Sequence, residues 1–202
     1  MRVLCVSDEV VSELPRLAAS GRIPTPDLMI SCGDLPPEYL RLLSGIFHVP
    51  LFYVRGNHDI RYERNPPMGC MNVHGRVVQH GGLKILGLEG SRWYNGGPNQ
   101  YTEGQMRHLV WRLRPRLWWH GGTDLVVTHA PPRYIHDAED LCHRGFKTYR
   151  RLIQRYAPRY FLHGHIHARF DDDAQRITIV GGTRVINCYR YYQLEIDDHA
   201  TA

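Results

Sequence analysis

Short, β-rich apolar runs that end in polar residues set the rhythm of the chain. Arg2–Ser7 leads into Asp8, Asp27–Cys32 into Gly33-Asp34, and Pro50–Arg55 into Gly56-Asn57-His58-Asp59. Asp124–Thr128 leads into His129-Ala130-Pro131-Pro132, and Tyr160–Leu162 into His163-Gly164-His165-Ile166-His167. Apolar runs of this kind, without polar alternation, read as strands covered on both faces. Between them the pattern predicts a weak helix over Glu9–Ser20 and a helix opened by Pro36-Pro37 and running through Phe47, with proline in the tolerated first turn. A third helix runs from the Thr102-x-x-Gln105 cap toward Trp119, with a kink or break expected at Pro115. A fourth covers Glu139–Tyr156 and stops at Pro158. Val77–Gln79 and Leu83–Leu88 form a strand pair around Gly81-Gly82, and Arg176–Val180, Arg184–Cys188 and Tyr192–Ile196 close the chain as alternating strands. Residues 61–75, with Pro66, Pro67 and Gly69, read as an exposed loop. Gly90–Tyr101 reads as a long aperiodic loop of the functional kind. The alternation of strands and helices implies an α/β fold, and no repeat or linker divides residues 1–202 into more than one domain.

The polar residues at the strand ends matter because the C-terminal ends of strands in an α/β sheet gather on one edge, where ligands bind. The runs deliver Asp8, Asp34, Asn57 with His58, His129, and His165 with His167 to that edge. Carboxylates, imidazoles and one amide oxygen, without thiolate, suit manganese, iron, zinc or nickel, whereas calcium would want nearly all oxygen. The candidates exceed one tetrahedral site and fit two metals sharing a carboxylate.

Composition narrows the class. The five cysteines are scattered singly, with no Cys-x-x-Cys pair, which excludes a disulfide framework and a thiolate zinc site. No run of apolar residues is long enough for a spanning helix. The sequence opens on a strand-like run rather than a signal peptide, so a cytoplasmic location and no membrane partner are expected. The net charge is +5, almost all from arginine, since Lys84 and Lys147 are the only lysines. That balance admits nucleic acid as a partner without favouring it over solvated helix faces, and suits an anionic small substrate.

Asp8, Gly33-Asp34, Gly56-Asn57-His58-Asp59, His129 and Gly164-His165-Ile166-His167, in this order, resemble the motifs of the calcineurin-like metallophosphoesterase superfamily. The Ser7-Asp8-Glu9 start, Ser31–Leu40 and Thr128–Pro132 resemble its small prokaryotic members. The resemblance implies a two-sheet β-sandwich flanked by helices, with a two-metal site at the strand ends. It implies that Asp8 and His167 hold one ion, that Asp34 bridges, and that Asn57, His129 and His165 hold the other, with His58 facing the leaving group. Two positions depart from the pattern. Val10 stands where an imidazole is usual, so the first site is expected to be weak; Glu9, on an extended strand, would point away from Asp8. Pro37 stands where protein-phosphatase members place an aspartate that orients the histidine, with Glu38 as a candidate substitute.

The expected activity is hydrolysis of a phosphodiester or phosphomonoester on a phosphorylated small molecule or nucleotide. Two divalent ions, manganese or iron ahead of zinc or nickel, would generate the attacking hydroxide, and His58 would act as general acid. Arg92, Tyr94 and Arg133 are candidate substrate contacts, with His143-Arg144 behind them; His163 is expected to support its turn. Two other functions compete: a weakly catalytic or non-catalytic scaffold, as in a retromer subunit of similar fold, and a nuclease, suggested by Arg107, Arg112, Arg114 and Arg116. The sequence leaves substrate and oligomeric state open.

Overall fold

The computed structural model describes residues 1–197; His199, to which the sequence assigns no role, lies outside them. Two sheets pack face to face with helices on both outer sides. The first contains β1 (Arg2–Ser7), β2 (Leu28–Ser31), β3 (Leu51–Tyr53) and β4 (Met71–Asn72), all parallel, in the order β13-β1-β2-β3-β4. Its other edge is β13 (Arg190–Glu195), antiparallel to β1 with Val3 opposite Leu194. The second sheet is built from β5 (Val77–His80), β6 (Leu83–Leu88), β9 (Leu125–Thr128), β10 (Tyr160–His163), β11 (Ile177–Val180) and β12 (Thr183–Asn187), in the order β11-β12-β10-β9-β6-β5. Its four central strands are parallel and its two edge strands antiparallel. β7 (Ser91–Arg92) and β8 (Gln100–Tyr101) form a small separate ladder.

The unbroken apolar runs follow from this layering. In β1, Val3 and Cys5 face the layer between the sheets, with Leu28, Ile30, Leu125 and Leu162. Leu4 and Val6 face the opposite way, against Met29 and the helices α1 (Leu14–Ala19) and α2 (Pro37–Phe47) through Leu14, Leu40 and Leu43. The outer face of the second sheet is covered by α3 (Glu103–Trp119) and α4 (Lys147–Tyr156), where Met106, Leu113, Tyr149 and Leu152 pack on Val126 and Phe161. A strand buried on both faces has no solvent side to mark with polar residues. No helix of the described residues is long and apolar enough to cross a membrane.

Four local expectations need correcting. α3 runs unbroken through Pro115, where the lost hydrogen bond falls at the carbonyl of Trp111 on the exposed face and can be made to water. Residues 139–146 are not helical; Asp140 accepts from the backbone N–H groups of Cys142 and His143, closing a turn that competes with a helix. Gly145 sits against the backbone of Pro131 and Pro132, where no Cβ fits. Residues 61–75 are not all loop, because a 3-10 turn covers Ile60–Glu63 and β4 extends the first sheet. Gly90–Tyr101 likewise contains the β7–β8 ladder. By contrast, the Thr102–Gln105 capping box forms in full.

Candidate metal centre

The parallel strands of both sheets point their C-terminal ends to the same edge, and the chain turns sharply there. Asp8 follows β1 with φ 67°, Asp34 follows β2 with φ 56°, and His165 follows β10 with φ 67°. Non-glycine residues rarely adopt this left-handed backbone, and such strain concentrates at functional sites. Glycine opens the space. A Cβ on Gly164 would collide with Ser7 and Asp8, and one on Gly56 with Asp34.

Asp34, His129 and His165 each place a potential ligand atom within 4.8 Å of the others. Asn57 Oδ1 lies 3.1 Å from His129 Nε2, which is also 3.2 Å from Asp34 Oδ2. The far side of each ring is tied down. His129 Nδ1 donates to the Cys32 carbonyl at 2.8 Å, leaving Nε2 to face the cluster. His165 Nε2 donates to the Cys142 carbonyl at 2.9 Å, leaving Nδ1 with its lone pair. Metal-binding histidines characteristically give their second ring N–H to such an acceptor, which fixes tautomer and orientation. Asn57 is oriented the same way, its Nδ2 donating to the Tyr94 hydroxyl at 3.2 Å so that its oxygen points inward.

The electrostatics describe a cluster built for positive charge. Burial works against a charged His129, but Asp34 beside it, with its carboxylate acting through charge and hydrogen bond, brings the imidazole up to about 9. Burial likewise raises Asp34, and the His129 charge with the His58 N–H outweighs it, bringing the carboxyl down to about 2. Burial and the neighbouring His129 charge push His165 down to about 4 and keep it neutral. His129 Nε2 thus faces two oxygens, Asn57 Oδ1 and Asp34 Oδ2, an arrangement that suits a proton or a divalent cation between them.

Asp8 and His167 are arranged differently. Both Asp8 carboxylate oxygens accept from the backbone N–H of His165, at 3.0 and 2.9 Å. His167 Nε2 approaches Asp8 Oδ1 at 3.5 Å, with its side chain 61% exposed and its ring stacked on Tyr189. Val10 is exposed and supplies no ligand. Glu9 does not fill the gap, since its carboxylate accepts from the Tyr189 hydroxyl at 2.6 Å and pairs with Arg190.

His58 is anchored by its backbone N–H, which donates to Asp34 Oδ1 at 2.8 Å, while the residue itself is exposed. Glu38 does not orient it; that carboxylate pairs with Arg61 and accepts from Asn65. Tyr94 touches the cluster through Asn57. Arg92 and Arg133 are not brought to the ligand candidates: Arg92 donates to Glu103, and Arg133 to Asp137 and Glu139. They line a 340 Å³ cleft with Arg144 and Lys147. Its 139–145 margin also carries Cys142 and His143, whose ring lies 5.2 Å from that of His165. His163 is buried and supports its turn through the Gly164 carbonyl, with His136 on its other nitrogen.

Some contributors are given no role by the sequence pattern. Asp59 Oδ2 accepts from the N–H groups of Asp34 and Gly56, at 2.8 and 2.7 Å, clamping two ligand loops together. Burial and the nearby Asp34 charge raise its carboxyl to about 7. Asn99 holds the Gly56 carbonyl from the β7–β8 segment. Asp59 directly follows Gly56-Asn57-His58, and that adjacency is the one signal that could have found it. The Cys142 carbonyl has no such signal, since any residue type could supply it.

The fold has solved counterparts. A protein from Thermus thermophilus superposes with a TM-score of 0.65 at 18% identity, over 94% of this chain and 89% of that one. The calcineurin-like phosphoesterase YfkN from Bacillus subtilis superposes with a TM-score of 0.55 at 12% identity, over 98% and 86%. A putative 5'-nucleotidase from Staphylococcus aureus gives 0.55 at 14% identity, over 98% of this chain but 51% of that one. At these identities the likeness is one of fold. The sequence itself matches the family model for calcineurin-like phosphoesterases over residues 1–169. With the two-sheet sandwich and the ligand cluster at its strand ends, that match places the chain in the calcineurin-like phosphoesterase family.

Proposed function

We propose that the protein hydrolyses a phosphate ester, diester or monoester, at the strand-end cluster, and that it does so with divalent cations. The observation that carries this reading is the set Asp34, Asn57, His129 and His165, with both imidazoles held in ligand-competent tautomers by backbone carbonyls. These residues would hold one cation. Asp34 would be shared with a second, held by Asp8 and His167 and completed by water. Manganese or iron suits the oxygen and nitrogen donors, and zinc or nickel is the next choice. When bound, such ions supply Lewis acidity, polarising the phosphoryl oxygens and lowering the pKa of water.

The chain does the rest. Asp34 holds the His58 backbone, and the exposed His58 ring delivers a proton to the departing alkoxide oxygen, as general acid. Tyr94 fixes the Asn57 amide and lies where it can touch the substrate. The cleft lined by Arg92, Arg133, Arg144 and Lys147 is cationic enough to receive an anionic remainder of the substrate, although Glu103 and Glu139 neutralise part of it.

A second reading, a scaffold of the same fold, is favoured by Val10 and by the open Asp8–His167 pair. Elemental analysis of the purified protein, combined with turnover of aryl phosphomonoesters, aryl phosphodiesters and cyclic nucleotides, separates the two. Metal-dependent turnover of one class is the expected result. Metal without turnover of any of them would favour the scaffold, and absence of metal binding would overturn both readings of the cluster.

A further inference from the structure

The outer face of α3 carries a second feature that the metal centre does not explain. Arg107, Trp111, Arg114 and Trp118 are spaced four, three and four apart, which puts them on one stripe of the helix. All four are exposed, Trp111 at 60% and Trp118 at 80%. Tryptophan is normally well buried, so side chains this open need an account. Trp119, at 81%, and Arg112 flank the stripe, and the His108 ring stacks on Trp111. Arg155 and Tyr156 of α4 close the other wall of an 820 Å³ groove with Trp111, Arg114 and Trp118.

Charge on this face is one-sided. The only acid in α3 is Glu103, which binds Arg92 and Thr148, and α4 has none. Among the described residues Arg107, Arg112, Arg114, Arg151 and Arg155 have no carboxylate partner, so their charges face solvent uncompensated. An interfacial membrane helix would bury a continuous apolar face. Here the three tryptophans are the only exposed large apolar residues of α3 and α4, and arginine interrupts them at every turn.

We infer that this face binds single-stranded nucleic acid. Alternating aromatic and arginine side chains are what that ligand uses, since bases stack on the flat rings while guanidinium groups take the phosphates. Trp111 and Trp118 stand about 10 Å apart along the helix axis, leaving room for a strand to pass Arg114 between them. The helix that carries the stripe follows β8 by two residues, and Asn99 of that segment holds the Gly56 carbonyl. The binding assignment does not depend on what that centre hydrolyses.

The test is fluorescence titration of the full chain with a short labelled oligothymidylate and its RNA counterpart. Expected are quenching of tryptophan emission and a log K that falls linearly with log salt. Trp111→Ala and Trp118→Ala should each weaken binding roughly ten-fold, with Trp118→Phe retaining most of it. Arg107→Glu with Arg114→Glu should flatten the salt dependence by about two phosphate contacts, while the remote Arg22→Ala should not. The altered side chains are exposed, so melting temperature and turnover of a small aryl ester should stay as in the parent. No binding at low salt would overturn the assignment, as would binding that Trp118→Ala leaves intact. So would binding confined to anionic phosphatidylserine vesicles, or a dimer that Trp118→Ala dissolves.

Discussion

The two halves of the candidate metal centre sit side by side and are built to different standards. Around Asp34, Asn57, His129 and His165 the ligand atoms converge, the rings are buried, and each has its far nitrogen fixed by a carbonyl. Around Asp8 and His167 there is one buried carboxylate already satisfied by backbone, one largely exposed imidazole and a valine where a third donor would be. Burial of the imidazoles is what separates them. In the first half burial opposes charge, but the Asp34 carboxylate beside His129 outweighs it, so the imidazole carries a proton. In the second half water can satisfy whatever the protein leaves open. Preorganised ligands lose little freedom on binding, whereas an exposed His167 must be held at the moment an ion arrives.

Breaking the stronger half should have the largest effect. His129→Ala removes a donor and leaves Asp34 buried beside Asn57 without its cation; loss of bound metal by elemental analysis and loss of measurable turnover are expected. Retained stoichiometric metal would mean that the cluster does not hold it. His58→Asn comes next. It should lower kcat by roughly 10²–10⁴-fold with metal content unchanged, the range expected for losing a general acid, and an unaltered kcat would remove His58 from the chemistry.

The contrast also has a pH signature in metal-stripped protein. His129 is raised to about 9 from an unfolded value near 6.5, so its contribution to stability is complete below 6.5 and is lost as pH rises through about 9. Asp59 is raised to about 7 from near 3.8, and its contribution is likewise lost as pH rises, through about 7. The depressed Asp34 matters only in strong acid, as pH falls toward about 2. Below about pH 6.5 the buried His165, held down to about 4, works the other way, so melting temperature without metal should fall between about pH 6.5 and 9, and metal uptake should release protons as a cation displaces the one on His129. A metal-free profile that rises across that range would contradict the protonated His129. The smallest effects should come from the weaker half. Val10→His should raise the metal content of that half without altering the other, and Tyr189→Leu, which removes the stack on His167, should lower it roughly ten-fold in affinity. Titration of metal into each variant measures both.

The arginines teach a parallel lesson about position. Arg92 and Arg133, which sequence makes candidate phosphate contacts, sit in a cleft beside the ligand cluster and pair there with carboxylates. Arg107 and Arg114, which from sequence could belong to an ordinary solvated helix, stand uncompensated between exposed tryptophans. Counting charges cannot distinguish the two cases, because what matters is whether the folded loops bring a nearby carboxylate such as Glu103, Asp137 or Glu139 against the guanidinium.

Sequence was enough for the strand endings. Asp8, Asp34, Asn57, His129 and His165 are legible because each closes an apolar run, and parallel strands deliver their ends to one edge whatever the details of packing. The capping box at Thr102 is legible because it is closed within one turn. Folding alone decided the matters that depend on contacts across the chain. It cancelled the helix at 139–146, where Asp140 and the backbone around Pro131 and Pro132 outweigh helical periodicity. It carried α3 through Pro115 because the lost bond faces water, and it withdrew Glu9 and Glu38 from the site by pairing them with Tyr189, Arg190 and Arg61. Local pattern fixes which residues arrive at an edge. Which of them are buried, oriented and left without a partner depends on segments that only the tertiary fold brings within reach.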